Sequence, residues 1–163
     1  MDYQLLALVV VTVIVLLLLI QKGRKTIRKR NDRCALHEQI SAAEGCYVFL
    51  IDKKLDVLDT NYYELNPERR HQLPYGLGNV LRCQQGEDCG ECGMGFACKT
   101  CPVRHVITNA FKQKHDFNDV SATMTLYSIA NVPESVNVRL MGKRVYVGDE
   151  PHMLVTVVES ETE

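Results

Sequence analysis

The stretch CGECGMGFACKTC, residues 89–101, places four of the chain's seven cysteines within thirteen positions, and Cys83 stands just upstream. Cysteines at this density bind a soft metal, exchange disulfides or serve as small apolar side chains. The pairs Cys89 with Cys92 and Cys98 with Cys101 suit a metal, because a tight turn within Cys-x-x-Cys directs both thiolates to one point. Gly90, Gly93 and Gly95 lie between them, where positive φ and close backbone approach are needed. Gln84 to Gly95 carries almost no apolar side chain, so burial does not order it. A structural zinc, contributing on the order of 10 kcal/mol in a minimal domain, would.

The candidate ligands are therefore Cys83, Cys89, Cys92, Cys98 and Cys101. Zinc is the expected ion and an iron–sulfur cluster the alternative, since four thiolates hold either and the spacing fits neither ferredoxin arrangement. Cys101 directly precedes an expected helix, whose positive end favours thiolate. His105, one turn further, competes as a ligand with an ordinary solvated role. Cys34 lies in a linker and Cys46 in a strand, both as non-ligands. A dithiol switch is the rival chemistry, but its usual strand-then-helix setting is not the order found here.

Which side of a membrane these thiols face matters next. Leu5 to Ile20 reads LLALVVVTVIVLLLLI, about the length of a bilayer-crossing helix, with Asp2 before it and QKGRK after it. That pattern predicts an uncleaved transmembrane anchor over 1–21 in contact with membrane lipid, not a signal peptide. Lys22, Arg24, Lys25, Arg28, Lys29, Arg30 and Arg33 follow, and such residues stay cytoplasmic. The expectation is a single-pass inner-membrane protein, N-terminus outside and domain cytoplasmic, where clustered thiols bind metal more often than they form disulfides. Of nineteen Lys and Arg, seven fall in that flank, leaving twelve against eighteen Asp and Glu from Cys34 onward. A nucleic-acid surface is disfavoured.

The elements that must position the cysteines follow. Residues 22–43 read as a basic juxtamembrane linker helix with a thin stripe of Ile27, Leu36, Ile40 and Ala43, either a coiled coil or a plain connector. The domain spans 44–163, with residues 83–101 as its Cys-rich insertion. Cys46 to Ile51 suits a central strand, Asp52 to Asp56 a turn, and Val57 to Asn61 the strand pairing back. Residues 62–82 read as short helical turns. From Pro102, the spacing of Val103, Val106, Ile107, Ala110 and Phe111 predicts an amphipathic helix of about three turns. Alternation at Val120 to Leu126, alternation at Val136 to Leu140 and the run Met153 to Val158 predict three more strands, with a turn at Gly148 to Pro151.

Two strands, a helical middle and three strands describe an α+β domain, an antiparallel sheet with helices on one face. At this point YVFLIDKKLDVLDTN and PHMLVTVVES resemble the opening hairpin and last strand of a PAS domain. The resemblance implies a five-stranded antiparallel sheet and a sensory role, and covers roughly Ala43 to Glu159. GLGNVLRCQQGEDCGECGMGFACKTCPVRHVITNAF is similar to a cysteine-rich variant in bacterial sensor proteins, in which one Cys follows the helical middle and CGxxxxCxxC leads into a helix. Cys83, Cys92, Cys98 and Cys101 match it. Cys89 is additional, which leaves Cys89 or Cys83 as fourth ligand. The motif of a flavin-photochemical PAS is missing, and His71 is the one candidate for a haem axial ligand in the helical middle.

No partnered nucleophile, phosphate loop or paired carboxylate motif is present in the sequence, so an enzyme is not expected. The expected function is a membrane-anchored sensory or interaction module with a cysteine-ligated metal. It would signal through a separate sensor kinase or other PAS-containing protein, because no output domain follows the last strand, and it would form a homodimer through residues 24–44 and the sheet. The rival is a membrane-tethered thiol-disulfide oxidoreductase or iron–sulfur redox protein.

Overall fold

The computed structural model describes residues 3–69 and 75–160, leaving aside the side chains of residues 4–7, 69 and 160. His71, the haem candidate, lies outside the described residues.

One helix, α1 (Tyr3–Ser41), joins what the sequence divides into anchor and linker. Its apolar stretch, Leu5 to Ile20 with Thr12 inside it, is about 24 Å long at a rise of about 1.5 Å per residue, against about 30 Å of bilayer hydrocarbon. Lys22, Arg24 and Lys25 follow at once. Among the described residues, no helix is long and apolar enough to cross a membrane. This corrects the expected transmembrane anchor and, with it, the single-pass inner-membrane location. Leu8 to Ile20 are exposed, and none of the described residues covers them.

The C-terminal part of α1 has a definite seat. Leu36 and Ile40, the latter fully buried, pack with Val48, Leu50 and Val147 in a small apolar cluster. Leu36, Ile40 and Ala43 of the thin stripe read in residues 22–43 thus dock onto the chain's own sheet, while Ile27 is exposed. At the rim Lys29 donates to Glu150 (2.9 Å), Lys25 lies 3.4 Å from Asp149, and the Gly148 N–H donates to Asp32 (2.9 Å). His37 Nδ1 meets the Asp59 carboxylate at 2.8 Å.

The hairpin forms as read. β1 (Tyr47–Ile51) and β2 (Asp56–Thr60) pair antiparallel. The turn is built by Asp52, whose carboxylate accepts from the N–H groups of Lys54 (2.8 Å) and Asp56 (3.0 Å), while Leu55 takes φ 73°. β1 is an unbroken apolar run because both its faces are covered: Phe49 and Ile51 enter the main core, Val48 and Leu50 the α1 cluster. Asn61 closes the hairpin. Its side chain accepts from Val48 N–H (2.8 Å) and donates to the carbonyls of Cys46 (3.1 Å) and Ala43 (3.3 Å).

The helical middle comprises α2 (Tyr62–Leu65), the two-residue strand β3 (Tyr75–Gly76), α3 (Leu77–Val80), α4 (Gln84–Asp88), a 3₁₀ turn at Phe96–Thr100, and α5 (Pro102–Gln113). Three long strands complete the chain: β4 (Phe117–Tyr127), β5 (Pro133–Val147) and β6 (Glu150–Ser160). The sheet order is β3-β2-β1-β6-β5-β4, every pairing antiparallel, and the sheet curls into a half barrel. The expected five-stranded sheet is therefore corrected to six strands. The addition is β3, which pairs Gly76 with Asp56 and Tyr75 with Val57. Two residues show no periodicity, so sequence pattern does not reveal such a strand. The main core lies between the sheet and α5 with the short helices, around Phe49, Ile51, Val80, Ile107, Leu140 and Val155.

Candidate metal centre

Four cysteines of the expected set meet at one place. Cys83, Cys92, Cys98 and Cys101 line a cavity of about 40 Å³ between the helical middle and the sheet. Its remaining wall is mainly apolar, with Ile51, Leu77, Val103, Ile107 and Met124, and Arg104 is the one charged residue on it. Chain segments of different kinds supply the sulfurs. Cys83 caps α4, Cys92 sits in a turn, Cys98 lies in the 3₁₀ turn, and Cys101 is the residue before Pro102 at the first turn of α5. Pro102 belongs there because its missing N–H is an orphan donor in any case.

Among the described residues, no three His, Cys, Asp or Glu side chains form a group that would hold a single metal ion. The expectation of a ready-formed metal-binding group is corrected on that point. A zinc ion would draw four sulfurs to about 2.3 Å from one centre.

Cys83 is locked by backbone. Its N–H donates to the Gly78 carbonyl (2.6 Å), it bridges to Leu126 of β4, and the Tyr127 N–H donates to the Arg82 carbonyl (2.8 Å). Arg82, at φ 57°, spends its guanidinium on the Ser128 carbonyl (3.0 Å) and the Asn131 side chain. The Tyr127 hydroxyl donates to Asp88 at the end of α4 (2.9 Å). These contacts tie the cysteine loop to the β4–β5 turn.

Asn79 is the residue that sequence reading missed. It is 3 % exposed, its side-chain oxygen accepts from the Cys92 N–H (2.6 Å), and its amide donates to the carbonyls of Gly86 and Gly90 (3.4 Å each). A single buried amide thus gathers three points of a loop that has little apolar anchorage. The only sequence signal is an Asn inside an otherwise apolar GLGNVL turn, four residues before a cysteine.

Two glycines permit the approach of Cys92. A methyl on Gly78 would lie 2.8 Å from the Cys92 sulfur, and one on Gly76 would lie 2.7 Å from its Cβ. The expectation of positive φ holds at Gly90 and Gly93. It fails at Gly95, which is extended at φ −65°, ψ 152°; a methyl there would meet the Cys89 and Cys98 sulfurs at 3.3 and 3.4 Å. Cys89 itself is exposed and does not line the cavity.

Burial pushes the Cys83 thiol up, opposed by hydrogen bonds from the Gln85 and Gly86 backbone. Cys92 is likewise pushed up by burial, opposed by the Gly78 backbone and the Arg104 guanidinium. At these two positions the environment resists the thiolate, because desolvation of a sulfur anion outweighs local dipoles. His105 faces elsewhere: its Nε2 meets the Lys99 carbonyl at 2.7 Å. Cys46 packs against the α1 cluster on the opposite side of the sheet, and Cys34 is exposed on α1.

No family model matches the sequence, and no curated protein matches it. Among solved structures the chain is similar to one described as the crystal structure of the E. coli DhaR(N)–DhaL complex, with 14 % identity and a TM-score of 0.42. The match covers 86 % of this chain and 40 % of that chain.

Proposed function

We propose that this chain is a sensory or protein-docking module controlled by an inorganic cofactor bound through Cys83, Cys92, Cys98 and Cys101. The observation that carries the reading is the meeting of these four sulfurs around one mainly apolar cavity, from positions eighteen residues apart in sequence. Apolar walls exclude water and strengthen every sulfur–metal and hydrogen-bond interaction inside. The resemblance of the flanking strands to PAS domains supports a signalling role, and the four cavity cysteines are those that match the cysteine-rich variant.

Cofactor occupancy would order the loop from Cys83 to Cys101. Through Arg82, Tyr127 and Asp88 that order reaches the β4–β5 turn, where Ile129 and Val132 are exposed. A partner protein reading this turn, or the exposed Met94 and Phe96 of the loop, would sense the cofactor's presence. A thiol-disulfide catalyst fits less well, since it needs an accessible thiol of lowered pKa, and burial raises both Cys83 and Cys92.

The test compares bound metal in the purified chain with that in Cys92→Ser and Cys46→Ser. Loss of at least nine-tenths of the metal in the first, with none lost in the second, is expected. Equal metal content in all three, or none in any, overturns the reading.

A further inference from the structure

Resting on the reading that these four thiols hold a cofactor, we infer that the cofactor is a polynuclear iron–sulfur cluster and not a single zinc ion. Three observations carry this. The first is the size of the cavity that the four cysteines line. A zinc ion in a thiolate tetrahedron leaves no free space, because sulfurs about 2.3 Å from a common centre lie about 3.8 Å apart and touch. Here the cavity that the four cysteines line together with nine other residues holds about 40 Å³, which gathered into one ball reaches roughly 3.5 Å from its middle once the radius of a water-sized sphere is added. A cage of irons and sulfides several ångströms across occupies such a volume; a bare ion does not.

The second observation is the lack of convergence. No three candidate ligands among the described residues share one ion position, yet Cys83, Cys92, Cys98 and Cys101 all face the same cavity. Ligands that surround a space from several sides are what a cluster requires, since each thiolate binds a different corner. The third is the set of donors on the sulfurs. Backbone groups of Gln85 and Gly86 hydrogen-bond to Cys83, that of Gly78 to Cys92, and the Arg104 guanidinium stands beside Cys92. Such donors spread the negative charge of a thiolate-ligated cluster and tune its potential.

Assembly balances without a redox step. Two ferric and two ferrous irons with four sulfides make a core of charge 2+; four thiols bind one iron each and release four protons to solvent, giving a bound cluster of charge 2−. Arg104 offsets part of that charge. Cys89 lies outside the cavity and is not needed as a ligand.

The full chain, purified without oxygen in mild detergent because Leu8 to Ile20 are exposed, is supplied with ferric and ferrous iron and sulfide, or with zinc alone. Iron and sulfide in equal amounts, with a broad visible absorption that dithionite bleaches, are the expected result. Cys89→Ser should keep that absorption and Cys101→Ser should lose at least nine-tenths of it. Position 101 suits the second variant because serine is a good helix N-cap, so α5 keeps its start and unchanged far-ultraviolet dichroism separates cluster loss from unfolding. One tightly held zinc, lost in Cys101→Ser, with no stable iron, overturns this inference while leaving the proposed function standing. No cysteine-dependent metal of either kind overturns both.

Discussion

On one face of the sheet Leu36 and Ile40 of α1 pack against Val48, Leu50 and Val147, ringed by Lys29–Glu150 and Lys25–Asp149. On the other, the loop from Cys83 to Cys101 offers few buried side chains besides Cys98 and depends on Asn79 and on sulfurs around a cavity. The first region is held by burial, which is non-directional and forgiving of small shifts. The second is held by directional groups whose loss leaves buried partners unsatisfied. A region of the first kind suits a permanent joint; one of the second kind suits a switch, because removing a single ligand or cofactor removes most of what orders it.

Three changes break or sharpen that contrast. Ile40→Ala deletes a fully buried side chain and should destabilise the fold by about 2–5 kcal/mol. It should release α1 while leaving cofactor content per folded molecule unchanged, as chemical denaturation and metal analysis would show. A parallel loss of cofactor would mean the two faces are one cooperative unit.

Asn79→Ala should act in the opposite sense. It strips the partner from the Cys92 N–H and from two loop carbonyls, a cost of about 1–3 kcal/mol. Hydrogen exchange should rise across residues 84–100 and cofactor should be lost faster, with the α1 amides unchanged. Unaltered exchange in the loop would show that the sulfurs alone order it.

The smallest effect belongs to the rim. The Lys29 hydrogen bond holds the Glu150 carboxyl below its usual range. A depressed carboxylate contributes stability above its unfolded pKa, near 4.5, and that contribution disappears as pH falls through the lower folded value. Both groups are exposed, so salt screens the pair. Lys29→Ala should therefore differ slightly from the parent in denaturation at neutral pH and low salt, and not at all in acid. A difference that persists in acid would place the role of Lys29 in packing of its aliphatic stem against β6.

Much of the frame was legible because its cause is local. The β1–β2 hairpin is written in Asp52 and in a β-branched run, α5 in Pro102 and the spacing of Val103, Ile107 and Ala110, β4 and β5 in alternation and β6 in a continuous apolar run. The six-stranded sheet was not, since β3 is two residues placed by the partner edge of β2. The apolar run of α1 misled for a related reason. Composition marks what a helix would avoid exposing, but Leu5 to Ile20 makes only about 24 Å of helix at about 1.5 Å per residue, and no helix among the described residues is long and apolar enough to cross a membrane.

The chain's own letters determined which thiols are close in sequence, which segments favour strand or helix, and that the cysteine loop is too polar to order itself by burial. Only tertiary structure shows Cys83, Cys92, Cys98 and Cys101, the four that match the cysteine-rich variant, lining one cavity that Cys89 does not line, and Asn79 drawing the loop together. The reason is physical: local propensity acts over a few residues, whereas the position of a sulfur relative to another eighteen residues away is set by how α3, α4 and α5 pack on the curled sheet.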